Sequence, residues 1–191
     1  MRFKGSVLVV FFAGLAPLLI GSLSPYESAK RKMEMISSER APRGSTVQLT
    51  SAELNAYIKG EIPSLVGEGA VTRPHLVLGN NSGKMTANVD FAKVQAKSGR
   101  DPGWIMSTIL SGERPVVVQG RIQSAKGQAT IFLDQIEVSG IPINGAALDF
   151  LMDVFIRPRF PDIKIGEPFD LAHGVERVEV KPEMVNVRIA R

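Results

Sequence analysis

Pro115 to Val138 reads P-V-V-V-Q-G-R-I-Q-S-A-K-G-Q-A-T-I-F-L-D-Q-I-E-V, and its alternation decides the fold. Val116, Val118 and Ile122 recur at even positions, with Gln119, Arg121 and Gln123 among the positions between. Successive side chains of a strand point to opposite faces, so the pattern is a strand with one buried side. Ala125-Lys126-Gly127 supplies a turn, and Gln128 to Val138 returns as the second arm of an antiparallel hairpin. On the return, Ala129, Ile131 and Leu133 share a face, whereas Ile136 and Val138 fall out of phase. A β-bulge near Asp134-Gln135 restores the phase and bends the strand. The spacing therefore predicts a long, curved hairpin.

Two more hairpins flank it. His75 to Leu78 and Lys84 to Phe91 surround the turn Asn80-Asn81-Ser82-Gly83, with Met85, Ala87, Val89 and Phe91 on one face and Thr86, Asn88 and Asp90 on the other. Val175 to Val180 and Met184 to Ile189 surround Lys181-Pro182-Glu183, and Val178, Val180, Val185, Val187 and Ile189 give an apolar face. Thr46 to Thr50 adds a short half-buried strand. Helices fill the intervals. Thr50 and Glu53 form a T-x-x-E capping box ahead of the stripe Leu54, Tyr57 and Ile58, with Pro63 as the expected stop. Asp101-Pro102 opens a helix carrying Trp104, Ile105, Met106, Ile109 and Leu110. Ala146 to Ile156 carries Leu148, Leu151, Met152 and Phe155 on one stripe and Phe150 and Val154 on a second, with Pro158 as its stop. The expected class is α+β: a curved antiparallel sheet of about six strands in three hairpins, with apolar helices packed on one face.

The amino terminus is of another kind. Arg2 and Lys4 precede Gly5 to Tyr26, 22 residues without a charge, including V-L-V-V-F-F-A-G-L-A-P-L-L-I from Val7 to Ile20. That length reaches the ~30 Å of a bilayer's hydrocarbon core. Residues 1–26 therefore read as a signal-anchor or a cleaved signal peptide. Ser22-Leu23-Ser24 offers small residues for cleavage, while Pro25 opposes it. Residues 27–45 read as a charged juxtamembrane helix and linker, breaking at Pro42 and Gly44. Residues 46–191 read as one extracytoplasmic domain, because a positive amino terminus stays in the cytoplasm. In the cleaved case the domain is secreted to the periplasm.

The sequence pI of about 9.5 suggests nucleic acid, but the charges are not where that needs them. Residues 25–45 hold five basic and three acidic side chains, and residues 46–191 hold sixteen of each. The domain is formally neutral, and the cationic excess sits beside the anchor, where lipid headgroups lie. Nucleic acid is not an expected partner. With no cysteine, disulfides, thiolate metal sites and cysteine nucleophiles are excluded together.

Neither histidine, His75 in a strand or His173 beside Gly174, has a catalytic partner at recognisable spacing. Asp149 and Asp153 share a helical face, but two carboxylates do not complete a calcium shell, and Asp153 is placed to pair with Arg157. No catalytic residues, metal site or cofactor are expected. Large apolar side chains are the class in surplus. Trp104, Ile105, Ile109, Phe150, Leu151, Val154 and Phe155 exceed one narrow stripe, so they either fill a core or line a cavity for an apolar ligand.

The chain resembles small membrane-anchored extracytoplasmic bacterial proteins of the YpmS type, and more distantly bacterial lipid-binding proteins with a tubular, long-strand fold. The resemblance rests on the anchor, L-T-S-A-E-L-N-A-Y from Leu49 to Tyr57, G-I-P-I-N-G from Gly140 to Gly145, and G-V-E-R-V-E-V from Gly174 to Val180. It implies a curved sheet around an elongated apolar groove, lipid binding or transfer, and no catalytic residues. The expected function is that of a non-enzymatic envelope protein holding a lipid or similar amphiphile. The alternative is a structural or assembly module of an envelope complex, docking a protein partner through a sheet edge or the loop from Pro142 to Gly145. A hydrolase of envelope lipids or glycans would need a carboxylate or histidine site that the spacing does not reveal.

Overall fold

The structure is a computed structural model describing residues 23–98, 111–153, 157, 163–171 and 173–191. The elements in chain order are α1 (Pro25–Ser37), β1 (Thr46–Thr50), α2 (Ser51–Val66), β2 (Val71–Leu78), β3 (Ser82–Asp90), α3 (Phe91–Ser98), β4 (Glu113–Ala125), β5 (Gln128–Val138), β6 (Ile141–Pro142), α4 (Gly145–Leu151), β7 (Pro168–Asp170), β8 (Val175–Lys181) and β9 (Met184–Ile189). The expected α+β class and its antiparallel six-stranded sheet are present. That sheet runs β2-β3-β4-β5-β6, with β7 also on β5. The closing hairpin lies apart, in a three-stranded sheet ordered β1-β9-β8. The division follows from β1, whose Thr46 to Thr50 pair with Arg188 to Met184 and so occupy one edge of β9.

Each sheet has its own core. The larger core joins Ala70, Val89, Phe91, Val94, Ile136, Val138, Ile143 and Leu151 at one end of the six-stranded sheet. The smaller core joins Ala29, Ile36, Ala41, Val47, Leu49, Val175, Val187 and Ile189 beneath the three-stranded sheet. Residues 27–45, expected as a spacer, thus supply α1 and Ala41 to a core.

The bulge falls where the alternation places it. Gln119 pairs with Gln135 and Gly120 with Leu133, so Asp134 is the extra residue. Arg121 holds it, with Nη2 2.7 Å and Nε 2.9 Å from Asp134 Oδ1. The guanidinium hydrogen bond keeps the Asp134 carboxyl below its ordinary range.

Two local expectations change. The second helix runs through Pro63 to Val66, and the Gly67 N–H closes its last turn on the Pro63 carbonyl at 3.1 Å. Phe91 begins a helix instead of ending the hairpin. Asp90 Oδ1 accepts from the Ala92 and Lys93 backbone N–H groups at 3.1 and 3.2 Å, which caps α3 and turns Phe91 and Val94 into the larger core. The helix expected over 146–156 is observed as α4, with Asp153 paired to Arg157 as expected. Val154 to Ile156 and the helix expected after Asp101 lie outside the described residues. Among the described residues no helix is long and apolar enough to cross a membrane, and residues 1–22 lie outside them.

Candidate functional site

The long hairpins present one continuous inner face. Antiparallel partners point the same way, so the register places Leu76, Met85, Val118 and Ile136 in one row, Val116 and Val138 in another, and Ile122 with Ile131 in a third. The bulge at Asp134 keeps Ile131 and Leu133 on the face that Ile136 and Val138 occupy. Burial along this face is uneven. Val89, Ile136 and Val138 are buried in the larger core at one end, and Ala129 is buried at the other. Between them Leu76, Leu78, Met85, Ile122 and Ile131 are half-buried and, among the described residues, belong to neither core.

Two glycines form the floor of this strip. Gly83 pairs with Gly120 on adjacent strands. A Cβ at Gly120 would stand 2.7 Å from the Phe132 carbonyl oxygen, so only glycine fits beside the bulge, whereas a Cβ at Gly83 would meet Leu76 Cδ1 at 3.4 Å. The strip of Leu76, Leu78, Leu133 and Ile131 is thus lowest at the two glycines, a shallow trough into which Leu76 leans over Gly83.

The hairpin tips and the β2 edge of the sheet are each held by hydrogen bonds across elements. At the hairpin tips β8 crosses the sheet. Ser124 Oγ donates to the Val178 carbonyl at 2.7 Å and accepts from the Val178 N–H at 2.6 Å. Asn81 N–H donates to Val180, and Gly127 N–H to Glu176, each at 2.8 Å. The outer edge of β8 is thereby capped by the tips of two hairpins, and a shallow polar depression of about 250 Å³ lined by Asn81, Gln123, Ser124, Arg177, Val178 and Glu179 marks the joint. Along the other side α2 covers the edge of β2. Asn55 Oδ1 accepts from the Leu76 N–H at 2.7 Å and Asn55 Nδ2 donates to the Leu76 carbonyl at 2.9 Å, as a neighbouring strand would.

A carboxylate locks α1 to α2. Glu53 receives Lys32 Nζ at 2.6 Å, Ser28 Oγ at 2.5 Å and the Thr50 N–H at 2.8 Å. Burial alone would push this carboxyl up. The hydrogen bonds from Lys32, Ser28 and Thr50 outweigh burial and hold its pKa at about 2. Tyr26 completes the lock, donating to Glu61 Oε1 at 2.7 Å and stacking on Tyr57 with ring centroids 6.3 Å apart.

Of the apolar residues singled out in sequence, Leu151 is in the larger core and Phe150 is on α4. Trp104, Ile105, Ile109, Val154 and Phe155 lie outside the described residues. The trough residues were legible as an alternating face but not as a partly open one. His75 and His173 are exposed, and among the described residues no cluster of histidine and carboxylate groups could hold a metal ion. No protein-family model matches the chain, and comparison with curated proteins finds no significant match.

Proposed function

We propose that this chain is a non-enzymatic, membrane-anchored envelope protein that binds or transfers a lipid or similar amphiphile in the trough of its six-stranded sheet. One observation carries the reading: Leu76, Leu78, Met85, Ile122 and Ile131 form an apolar strip that is neither sealed in a core nor dispersed on the surface. From Val116 to Ile122 the inner face of β4 runs about 20 Å, the length of an extended acyl chain. Apolar walls with few polar groups suit a hydrocarbon tail and give no handle on a polar substrate. The test is native mass spectrometry, followed by lipid extraction, on the full chain purified from bacterial membranes in mild detergent. A stoichiometric lipid, absent from the Ile122→Glu and Ile131→Glu variants, is the expected result. A bare protein that takes up no added lipid refutes the proposal.

That second result would favour the assembly module. Its support is the edge strand β1, whose Thr46, Gln48 and Thr50 are exposed beside the buried Val47 and Leu49. An uncharged strand edge of this kind can accept a partner's strand.

A further inference from the structure

The chain enters the domain at one end of the trough, and that end has an exposed apolar surface. Tyr26 lies against Gly60, where a Cβ would stand 2.4 Å from its ring, while Ser28 and Lys32 reach Glu53 further along. Thus α1 runs antiparallel to α2, and its first turn points toward the carboxyl end of α2. Asn55 fixes α2 level with Leu76 on β2. From Asn55 to Val66 is about 16 Å of helix, and from Leu76 back to Val71 is about 17 Å of strand. The carboxyl end of α2 and the start of β2 are therefore level, at the end where Val138 pairs with Ile141.

Three exposed apolar side chains from three elements meet this end: Leu23 ahead of α1 is 51% exposed, Leu65 on α2 is 39% exposed and Ile141 on β6 is 50% exposed. Leu65 and Ile141 flank opposite edges of the sheet, whose edge strands β2 and β6 are about 19 Å apart at four strand spacings. Lys30 and Arg31 are exposed on the turns of α1 nearest the entry. The neighbouring Glu27 is engaged in the capping box with Ser24.

We propose that this end of the domain rests on the surface of the bilayer, an inference that stands on the anchor reading above. The length of chain available places Leu23 beside the bilayer. Two residues, Gly21 and Ser22, separate Ile20, the last of the apolar run, from Leu23, a reach of at most about 10 Å. The Glu53 and Tyr26 contacts fix the body relative to α1, so the entry end is the part of the domain nearest the membrane. The partner is a lipid surface, met by Leu23, Leu65 and Ile141 with Lys30 and Arg31 at headgroup height. The hairpin tips at Asn81 and Ala125 stand away from it, Ala125 about 30 Å along β4 from Val116. The half-buried strip thus lies between the larger core, at the bilayer end, and the hairpin tips.

The absence of cysteine makes the test direct. Leu65→Cys, Ile141→Cys and, at the far end, Ala125→Cys each give the full chain one thiol for an environment-sensitive fluorophore. The labelled proteins are reconstituted in phosphatidylcholine and phosphatidylglycerol vesicles carrying a headgroup nitroxide quencher, with circular dichroism confirming the fold. Quenching several-fold stronger at positions 65 and 141 than at 125 is expected. Equal quenching at all three, or stronger quenching at 125, in protein that resists alkaline extraction overturns the orientation and leaves the anchor intact. Release by alkaline extraction overturns the anchor and the orientation together.

Discussion

Replacing Glu53 by glutamine isolates the contact that ties α1 to the domain. The carboxylate has an ordinary pKa of 4.5 and one of about 2 in the fold. At about 1.4 kcal/mol per pKa unit, that gap contributes roughly 3 kcal/mol to stability. The sign follows from proton counting. Between the two values the unfolded chain binds the proton and the folded chain does not, so acid favours unfolding. The contribution is whole above about pH 5 and is lost as the pH falls toward 2. Glutamine keeps the shape and removes the charge, leaving Lys32 without its partner. Because the Lys32 side chain retains 29% of its exposure, it can reach water, which holds the loss to the low side of the roughly 3–5 kcal/mol typical of broken buried pairs. Urea unfolding of both proteins from pH 7 to pH 2 is the assay. The variant should be about 3 kcal/mol less stable at pH 7 and should converge on the parent near pH 2. Other depressed carboxyls, among them Asp134 and Glu179, titrate in both proteins and cancel in the difference. A deficit below about 1 kcal/mol at pH 7, as for an ordinary surface pair, or one that persists undiminished at pH 2, would show that the Glu53 charge does not tie α1 to the domain.

Asn55→Ala removes both hydrogen bonds to Leu76 and should cost about 2 kcal/mol in urea melts; the uncovered edge of β2 should also raise light scattering on standing. Gly120→Ala drives a methyl group against the Phe132 carbonyl and should lower stability by about 1–3 kcal/mol, with a reduced melting temperature as the readout. Leu151→Ala opens a cavity in the larger core and should cost about 2–5 kcal/mol, whereas Ile131→Glu, on the half-buried strip, should leave the cooperative melt in place and remove bound lipid from the native mass spectrum.

Local patterns were legible because they are written in neighbouring residues. The out-of-phase pair Ile136 and Val138 announced the bulge, and Thr50 with Glu53 announced a helix start that the structure reproduces on both sides of the capping box. What escaped depends on tertiary context. Phe91 continues the alternation of β3 perfectly, yet the Asp90 side chain caps a new helix there and the larger core takes the ring. The second sheet arises from pairing Thr46–Thr50 with Met184–Arg188, a contact between distant segments that no local period encodes. The inner strip of Met85, Ile122 and Ile131 was readable as one face, but whether a face is sealed depends on what packs over it.

The half-burial of that strip is the feature on which the proposed function rests. A domain without disulfides is stabilised by packing, at about 25 cal/mol for each Å² of apolar surface removed from water. Leaving Leu76, Met85, Ile122 and Ile131 half-buried forgoes part of that gain in the middle of the largest sheet, while both ends of the face are closed by dedicated contacts: Ser124 on Val178 at the tips, and Phe91, Val94 and Leu151 over Val138. Gly83 and Gly120 contribute no side chain to the strip, and the bulge at Asp134 bends the strands beside them. The proposed function ties these features together: an apolar occupant would supply the burial that the strip lacks, and a hydrocarbon chain would do so without a covalent or catalytic group.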